Sequence, residues 1–258
     1  MKPRVAVFKF ASCDGCQLQF LNAEDELLKL ATEVDFVHFP EVRTRSLAGP
    51  YDIAFVEGSI TTPDDARRIV QVREASHYLV TIGACATAGG IQALRNWADI
   101  EQYRRLVYPS PEFVSTLSTS TPVSEHVRVD FEIWGCPVDK GQLLGVMRSW
   151  LSHAKPVLPA FSVCMECKRR GNVCVVVARG EPCLGPVTRT GCGALCPSFN
   201  RGCYGCFGPA DDQNLKSFTG LLAAQGVTGE DAARRLRGIN GYVRQWRETG
   251  DAIAAAKK

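Results

Sequence analysis

The placing of its cysteines constrains this chain more than any other feature. Its 258 residues carry twelve cysteines, in three groups of four. The first group is Cys13, Cys16, Cys85 and Cys136, the second Cys164, Cys167, Cys174 and Cys183, and the third Cys192, Cys196, Cys203 and Cys206. In a secreted mini-protein such a number would mean disulfides. Here Met1 leads directly into the short apolar run Val5-Ala6-Val7-Phe8, with no twin-arginine pair before it. That run is far too short for a signal-peptide core or a membrane span. The cysteine density is also below the ~8–10% of disulfide scaffolds. The expectation is a cytoplasmic protein with no membrane span, whose close-spaced cysteines are metal ligands. Four thiolates are the usual complement of one cubane cluster, so three groups imply three 4Fe–4S clusters.

The rest of the sequence divides around these groups. Residues 1–155 read as an α/β domain. Apolar, β-branched runs at Val5–Phe10, Ile53–Val56, Tyr78–Ile82 and Val127–Trp134 alternate with helical patterns, which implies a parallel sheet covered on both faces. Cys16–Ala31 and Gly141–Leu151 have helical periodicity. Thr62, Pro63 and Asp65 write a helix start with a capping box. Residues 152–160 form a linker. From 161 to 210 the chain turns rich in cysteine and glycine with little periodicity, and too few apolar residues remain for a core. Bound metal must supply its folding energy. Residues 211–258 return to helices, Leu215–Ala224 and Gly229–Trp246, with a tail from Ala252 expected to fray.

The first cysteine group follows the carboxyl ends of three expected strands: Cys13 and Cys16 after the first, Cys85 after the third, Cys136 after the fourth. Open α/β sheets place ligand sites at that edge. The glycines beside these cysteines permit tight turns and offer N–H donors to sulfur. The second group has the spacing C-x2-C-x6-C-x8-C and the third C-x3-C-x6-C-x2-C. A zinc ribbon from Cys164, Cys167, Cys203 and Cys206 would strand four other cysteines, although two zinc sites fit the spacing. Exchange of ligands between the second and third groups also fits. His38, His77, His126 and His153 lie far from every group and read as structural. Glu57 follows the second expected strand at the same sheet edge as Cys13 and Cys85, where it can orient the cluster loops, contact a partner, or simply open a helix. The net charge of +3 argues against nucleic acid, and Lys168-Arg169-Arg170 reads as a solvated loop. No dinucleotide or Walker motif is present, so flavin or nucleotide would bind another subunit.

Four motifs taken in order, Cys13-Asp14-Gly15-Cys16, Glu57-Gly58-Ser59, Gly83-Ala84-Cys85-Ala86 and Gly135-Cys136-Pro137, resemble the N-terminal domain of nickel–iron hydrogenase small subunits. Cys183-Leu184-Gly185-Pro186, Cys192 and Cys203-Tyr204-Gly205-Cys206 resemble that family's second half, so the likeness spans roughly residues 4–210. It implies a flavodoxin-like domain followed by a small ferredoxin-like iron–sulfur domain and C-terminal helices. It implies that Cys13, Cys16, Cys85 and Cys136 hold a proximal cluster. Cys192, Cys203 and Cys206 would hold a medial cluster, and Cys164, Cys167, Cys174 and Cys183 a distal one. Periplasmic members often carry histidine where Cys164 stands, and a three-iron medial cluster where Cys196 adds a fourth thiolate. Both departures resemble the cytoplasmic groups that reduce NAD(P), a deazaflavin coenzyme or polysulfide. The related respiratory complex I subunit has adjacent cysteines at its first cluster, unlike Cys13 and Cys16. The implied role is a non-catalytic electron relay. Its implied partners are a large subunit carrying the nickel–iron site and a flavin/NAD(P)-binding or iron–sulfur electron-transfer subunit. Service to another oxidoreductase, such as a coenzyme M or disulfide reductase, is the remaining redox alternative, and a zinc-stabilised interaction module the non-redox one.

Overall fold

The β-branched runs pair as a parallel sheet of five strands, one more than the sequence pattern predicts. In the computed structural model, which describes residues 1–256, the strands are β1 (Arg4–Lys9), β2 (Asp35–His38), β3 (Tyr51–Glu57), β4 (Ser76–Ile82) and β5 (Phe131–Ile133). Their order is β2-β1-β3-β4-β5, the flavodoxin order. β2 escapes sequence reading because it has four residues and only Val37 is fully enclosed. The run expected at Val127–Trp134 narrows to β5 because the Asp130 carboxylate takes the Leu79 N–H at 2.8 Å.

The strands belong to a first compact unit, Met1–Ile133. Its helices are α1 (Gly15–Leu21), α2 (Asp25–Glu33), α3 (Pro63–Glu74), α4 (Gly83–Ala88) and α5 (Ile100–Val107). The core on one side of the sheet gathers Ala6, Phe8, Val56, Ile60, Ile69 and Leu79. The capping box of α3 forms as expected, with Asp65 N donating to Thr62 Oγ1 at 3.0 Å and Thr62 N donating to Asp65 at 3.1 Å. The single helix expected over Cys16–Ala31 is broken into α1 and α2. The chain turns at Asn22-Ala23-Glu24, where Glu24 has φ +48°, and α2 restarts with the acids Asp25 and Glu26 against its N-terminal dipole.

The second unit begins at Trp134. It contains α6 (Lys140–Leu151), α7 (Val163–Arg169), α8 (Val175–Arg179), α9 (Leu195–Ser198), α10 (Leu215–Ala224), α11 (Gly229–Leu236) and α12 (Arg244–Ala255). The cysteine-rich stretch is short helices and turns, joined by isolated bridges at Ser162–Arg189 and Thr188–Pro209. One helix was expected over Gly229–Trp246, but Gly238-Ile239-Asn240-Gly241 interrupts it, in keeping with the low helix propensity of glycine. Asn240 is fully buried there and donates to Gly205 O at 2.8 Å. The tail expected to fray from Ala252 stays helical through Ala255. Lys257 and Lys258 lie outside the described residues.

Candidate metal centres

None of the twelve cysteines is in a disulfide. In the first unit β1 delivers Cys13 and Cys16 at the start of α1, with Cys13 exposed and Cys16 buried. β4 delivers Cys85 within α4. Between β1 and β4 runs β3, and its last residue, Glu57, is buried. One Glu57 oxygen accepts the Cys16 N–H at 3.1 Å and the other accepts Gln17 Nε2 at 2.8 Å. Gln17 Nε2 also donates to Asp14 at 3.0 Å, and Asp14 is ion-paired with Lys9. Of the roles open to Glu57, loop orientation is the one its contacts display. Burial pushes its carboxyl above the ordinary value; the bonds from Gln17 and Cys16 oppose this, and the Asp14 charge adds to it.

Gln92 makes the matching tie on the other side. Its Nε2 donates to Ala11 O at 2.8 Å, and its Oε1 lies 3.4 Å from the Cys85 thiol. The Cys13–Cys16 loop is thus bound to the end of β3 and to the surroundings of Cys85. Gly90 passes so near that a Cβ there would sit 2.7 Å from Cys85 Sγ. Gln17 and Gln92 were not identified from the sequence. Amides inside apolar segments carry no spacing signal of their own. Cys136 follows β5 by three residues in the chain and belongs to the second unit.

In the second unit the other eight thiols crowd one another. Burial pushes Cys164 up to about 11, with Cys183, Cys167 and Cys174 as its thiol neighbours. Burial likewise pushes Cys206 up to about 12, beside Cys192, Cys136 and Cys196, and raises Cys203. Cys183 Sγ accepts N–H groups from Cys203 at 3.1 Å and Gly185 at 3.4 Å. Cys203 Sγ accepts the Gly205 N–H at 3.4 Å. Thiols that resist ionisation when bare, yet already receive backbone N–H donors, fit a cationic iron group that claims them as thiolates. The second and third groups adjoin, because Cys192 also acts on Cys167. Glu166, between Cys164 and Cys167, accepts N–H groups from Gly191 at 3.1 Å and Ala194 at 3.0 Å. It steadies the loop that carries Cys192, a positioning role that the sequence reading missed although C-M-E-C displays the acid. Among the described residues no three His, Cys, Asp or Glu side chains are drawn together as a metal-ion site. His38 stacks on Phe8 with ring centroids 4.3 Å apart, and His126 bonds Thr121 at 2.7 Å.

A family profile described as the NADH ubiquinone oxidoreductase 20 kDa subunit matches residues 13–150. Over nearly the whole chain the likeness is to hydrogenases. Sulfhydrogenase 2 subunit delta of Pyrococcus furiosus is 36% identical over 234 residues, covering 91% of this chain and 98% of that protein. This chain belongs to the hydrogenase small-subunit family. A subunit of the vhu F420-non-reducing hydrogenase of Methanococcus voltae is 30% identical, covering 90% of this chain and 91% of that one. A crystal structure of an NAD+-reducing NiFe-hydrogenase in the H2-reduced state superposes with TM-score 0.58 at 30% identity, covering 62% of this chain and 96% of its counterpart. As a hydrogenase small subunit the chain is an oxidoreductase component that handles electrons, and its relatives work as subunits of larger complexes. The profile ends with α6, whereas the hydrogenase likeness runs on through the cysteine-rich segment. No described helix is long and apolar enough to cross a membrane.

Proposed function

We propose that this subunit holds three 4Fe–4S clusters and wires a nickel–iron large subunit to a flavin/NAD(P)-binding or iron–sulfur partner, in the cytoplasm. The observation that carries this reading is the set of twelve cysteines, none in a disulfide, in a chain that matches a hydrogenase subunit over nearly all of its length. Cys13, Cys16, Cys85 and Cys136 are the proximal set. Cys192, Cys196, Cys203 and Cys206 are the medial set, and Cys164, Cys167, Cys174 and Cys183 the distal set. When bound, the clusters supply reversible one-electron transfer, with ferredoxin-type potentials near roughly −400 mV.

The work of the protein is to hold and tune. Glu57 and Gln92 fix the loops of the proximal set through backbone bonds. N–H groups of Cys203, Gly185 and Gly205 point at ligand sulfurs and favour the electron-rich state. Leu18, two residues after Cys16, and Ile91 and Leu94, which follow Cys85, are exposed, apolar surface suited to closure by the large subunit. Domains follow these roles: 1–155 for the proximal set, 161–210 for the other two, 211–258 as a helical extension.

The test is made on the complex purified without oxygen. About twelve iron atoms per chain, with matching acid-labile sulfide, are expected. Stoichiometric zinc without sulfide would establish the zinc reading. In Cys183→Ala, isotope exchange between dihydrogen and deuterated water should persist while reduction of the physiological acceptor collapses. Equal loss of both, in a variant still bound to its large subunit, would refute the distal exit.

A further inference from the structure

The loop that carries Cys192 has an unusual backbone. Gly191 has φ +133°, Gly193 +65° and Ala194 +53°, and Ala194 is fully buried. A residue other than glycine stays in the left-handed region only where its surroundings fix it there. Backbone of this kind turns successive N–H groups to one side and forms a concavity that takes anions. The concavity already holds one. An oxygen of the half-buried Glu166 accepts the Gly191 N–H at 3.1 Å, and its other oxygen accepts the Ala194 N–H at 3.0 Å. Arg170, at the end of α7, donates to Gly193 O in the same loop. Glu166 stands between Cys164 and Cys167, so an acid and a base from the segment of one set grip the loop of the other.

This grip has an electrostatic consequence for sulfur. Burial raises the Cys192 thiol, the N–H groups of Leu195 and Ala194 oppose that, and the Glu166 charge adds to it. The Ala194 N–H is therefore divided between a carboxylate and the Cys192 sulfur. Cys183 has a different setting, since its sulfur takes the N–H groups of Cys203 and Gly185. We propose that Glu166 lowers the reduction potential of the cluster held by Cys192, by drawing an N–H donor away from its thiolate and by placing a negative charge beside it. The inference rests on the cluster reading above and adds a residue that sets the order in which clusters fill. Hydrogen bonds to sulfur and net charge are the terms that set such potentials. Glu166 belongs by sequence to one set and acts on the other, so the two adjoining sets become unequal. Arg170 acts in the opposite sense, and more weakly because it is exposed and screened by solvent ions.

The test titrates the intact complex without oxygen against applied potential and follows the reduced clusters by low-temperature electron paramagnetic resonance. The signal altered or lost in Cys192→Ser marks the cluster in question. At the wild-type midpoint, Glu166→Gln should raise its reduced-to-oxidised ratio about tenfold, which is ~59 mV for one electron. Glu166→Asp keeps the charge and should shift the ratio less than about threefold. Arg170→Gln should lower it about threefold. A loop that had merely loosened would move Glu166→Gln and Arg170→Gln the same way, and a shared direction overturns the proposal. So does a change below about twofold in Glu166→Gln, or an equal shift in Glu166→Asp. If Glu166→Gln fails to hold its iron, Arg170→Gln decides: a lower ratio supports the proposal, and an unmoved or higher one overturns it. A wild-type complex without iron and acid-labile sulfide overturns the cluster reading and the tuning with it. Intact clusters with unmoved midpoints overturn the tuning alone.

Discussion

Replacing Glu57 by glutamine should loosen the Cys13–Cys16 loop, although the two side chains have nearly the same shape. Two donors, Cys16 N–H and Gln17 Nε2–H, aim at the two carboxylate oxygens, and the residue is 1% exposed. A glutamine can accept at only one of those positions and presents an NH2 at the other. Gln17 cannot turn to compensate without cost, because its Nε2 also serves Asp14 and a flip would aim its oxygen at that carboxylate. One buried hydrogen bond is lost whichever amide turns. Bonds to charged groups are worth about 1.5–3 kcal/mol. For a unit of this size that is a fall of roughly 3–10 °C in Tm. Glu57→Ala removes both acceptors and leaves a cavity as well, costing about 3–5 kcal/mol. The assay is thermal unfolding of the anaerobic complex, with iron and sulfide counted per chain. Exposed Glu41→Gln serves as the control, within about 0.5 kcal/mol of wild type. If Glu57→Gln unfolds with the control and keeps full iron content, the carboxylate does not hold the loop and the reasoning fails.

Asp130→Asn should destabilise the first unit by about 1–3 kcal/mol, since it removes the ion pair to Arg73 at 2.5 Å and weakens the bond from Leu79 N–H. Burial raises the Asp130 carboxyl, but the bonds from Arg73 and Leu79 outweigh it and hold it below the ordinary carboxylate value. Its stabilisation is therefore complete above the unfolded value and lost as pH falls through the lower folded one. Acid titration of wild type and variant should converge only below about pH 4; a constant gap down to about pH 2 would exclude this pair as the cause. Trp246→Ala should cost about 3–5 kcal/mol by cavity formation, and Trp246→Phe about 1–2 kcal/mol through the lost 2.7 Å bond to Gln213. Equal urea midpoints for these two variants would contradict that ordering. Gly58→Ala should cost about 2 kcal/mol or more, because φ is +101° and its Cβ would fall 2.5 Å from the Phe10 carbonyl carbon. An unchanged Tm would show that the end of β3 can move away from β1.

The legible parts of this chain were those written in local signals. The strands β1, β3 and β4, the capping box of α3 and the span of α10 follow from alternation, caps and periodicity, each confined to a short window. The cysteine groups were legible because spacing alone announces them. What escaped depends on distant partners. β2 exists because β1 offers it an edge, not because Asp-Phe-Val-His is a strong strand former. The break at Asn240 depends on its buried bond to Gly205, thirty-five residues earlier in sequence. Gln92 and Glu166 act on backbone groups far away in the chain, and Gln17 on the Glu57 carboxylate forty residues on, so neither their types nor their neighbours single them out.

The C-terminal helices show what spacing could not say about the cysteine-rich segment. Around its thiols the buried cluster is small: Val163, Val175, Ala194 and two cysteines, Cys183 and Cys203. Such a cluster cannot offset the entropy of ordering a long irregular chain. A second cluster supplies apolar burial that the first lacks. Leu184 and Val187, from the loop just after Cys183, are enclosed by Phe218, Leu222, Ala232, Leu236 and Trp246 of α10, α11 and α12. Gly205, between Cys203 and Cys206, lies so close to Trp246 that a Cβ would stand 2.9 Å from its ring. The helices therefore grip both loops that carry ligands of the adjoining sets. In the sequence they read as a separate extension, because their periodicity marks only which face is apolar. In the fold that face is the hydrophobic half of the same unit. On the proposed reading metal and helices hold the cysteine-rich loops together, and loss of the metal leaves the cluster of Leu184, Val187 and Trp246 still restraining them.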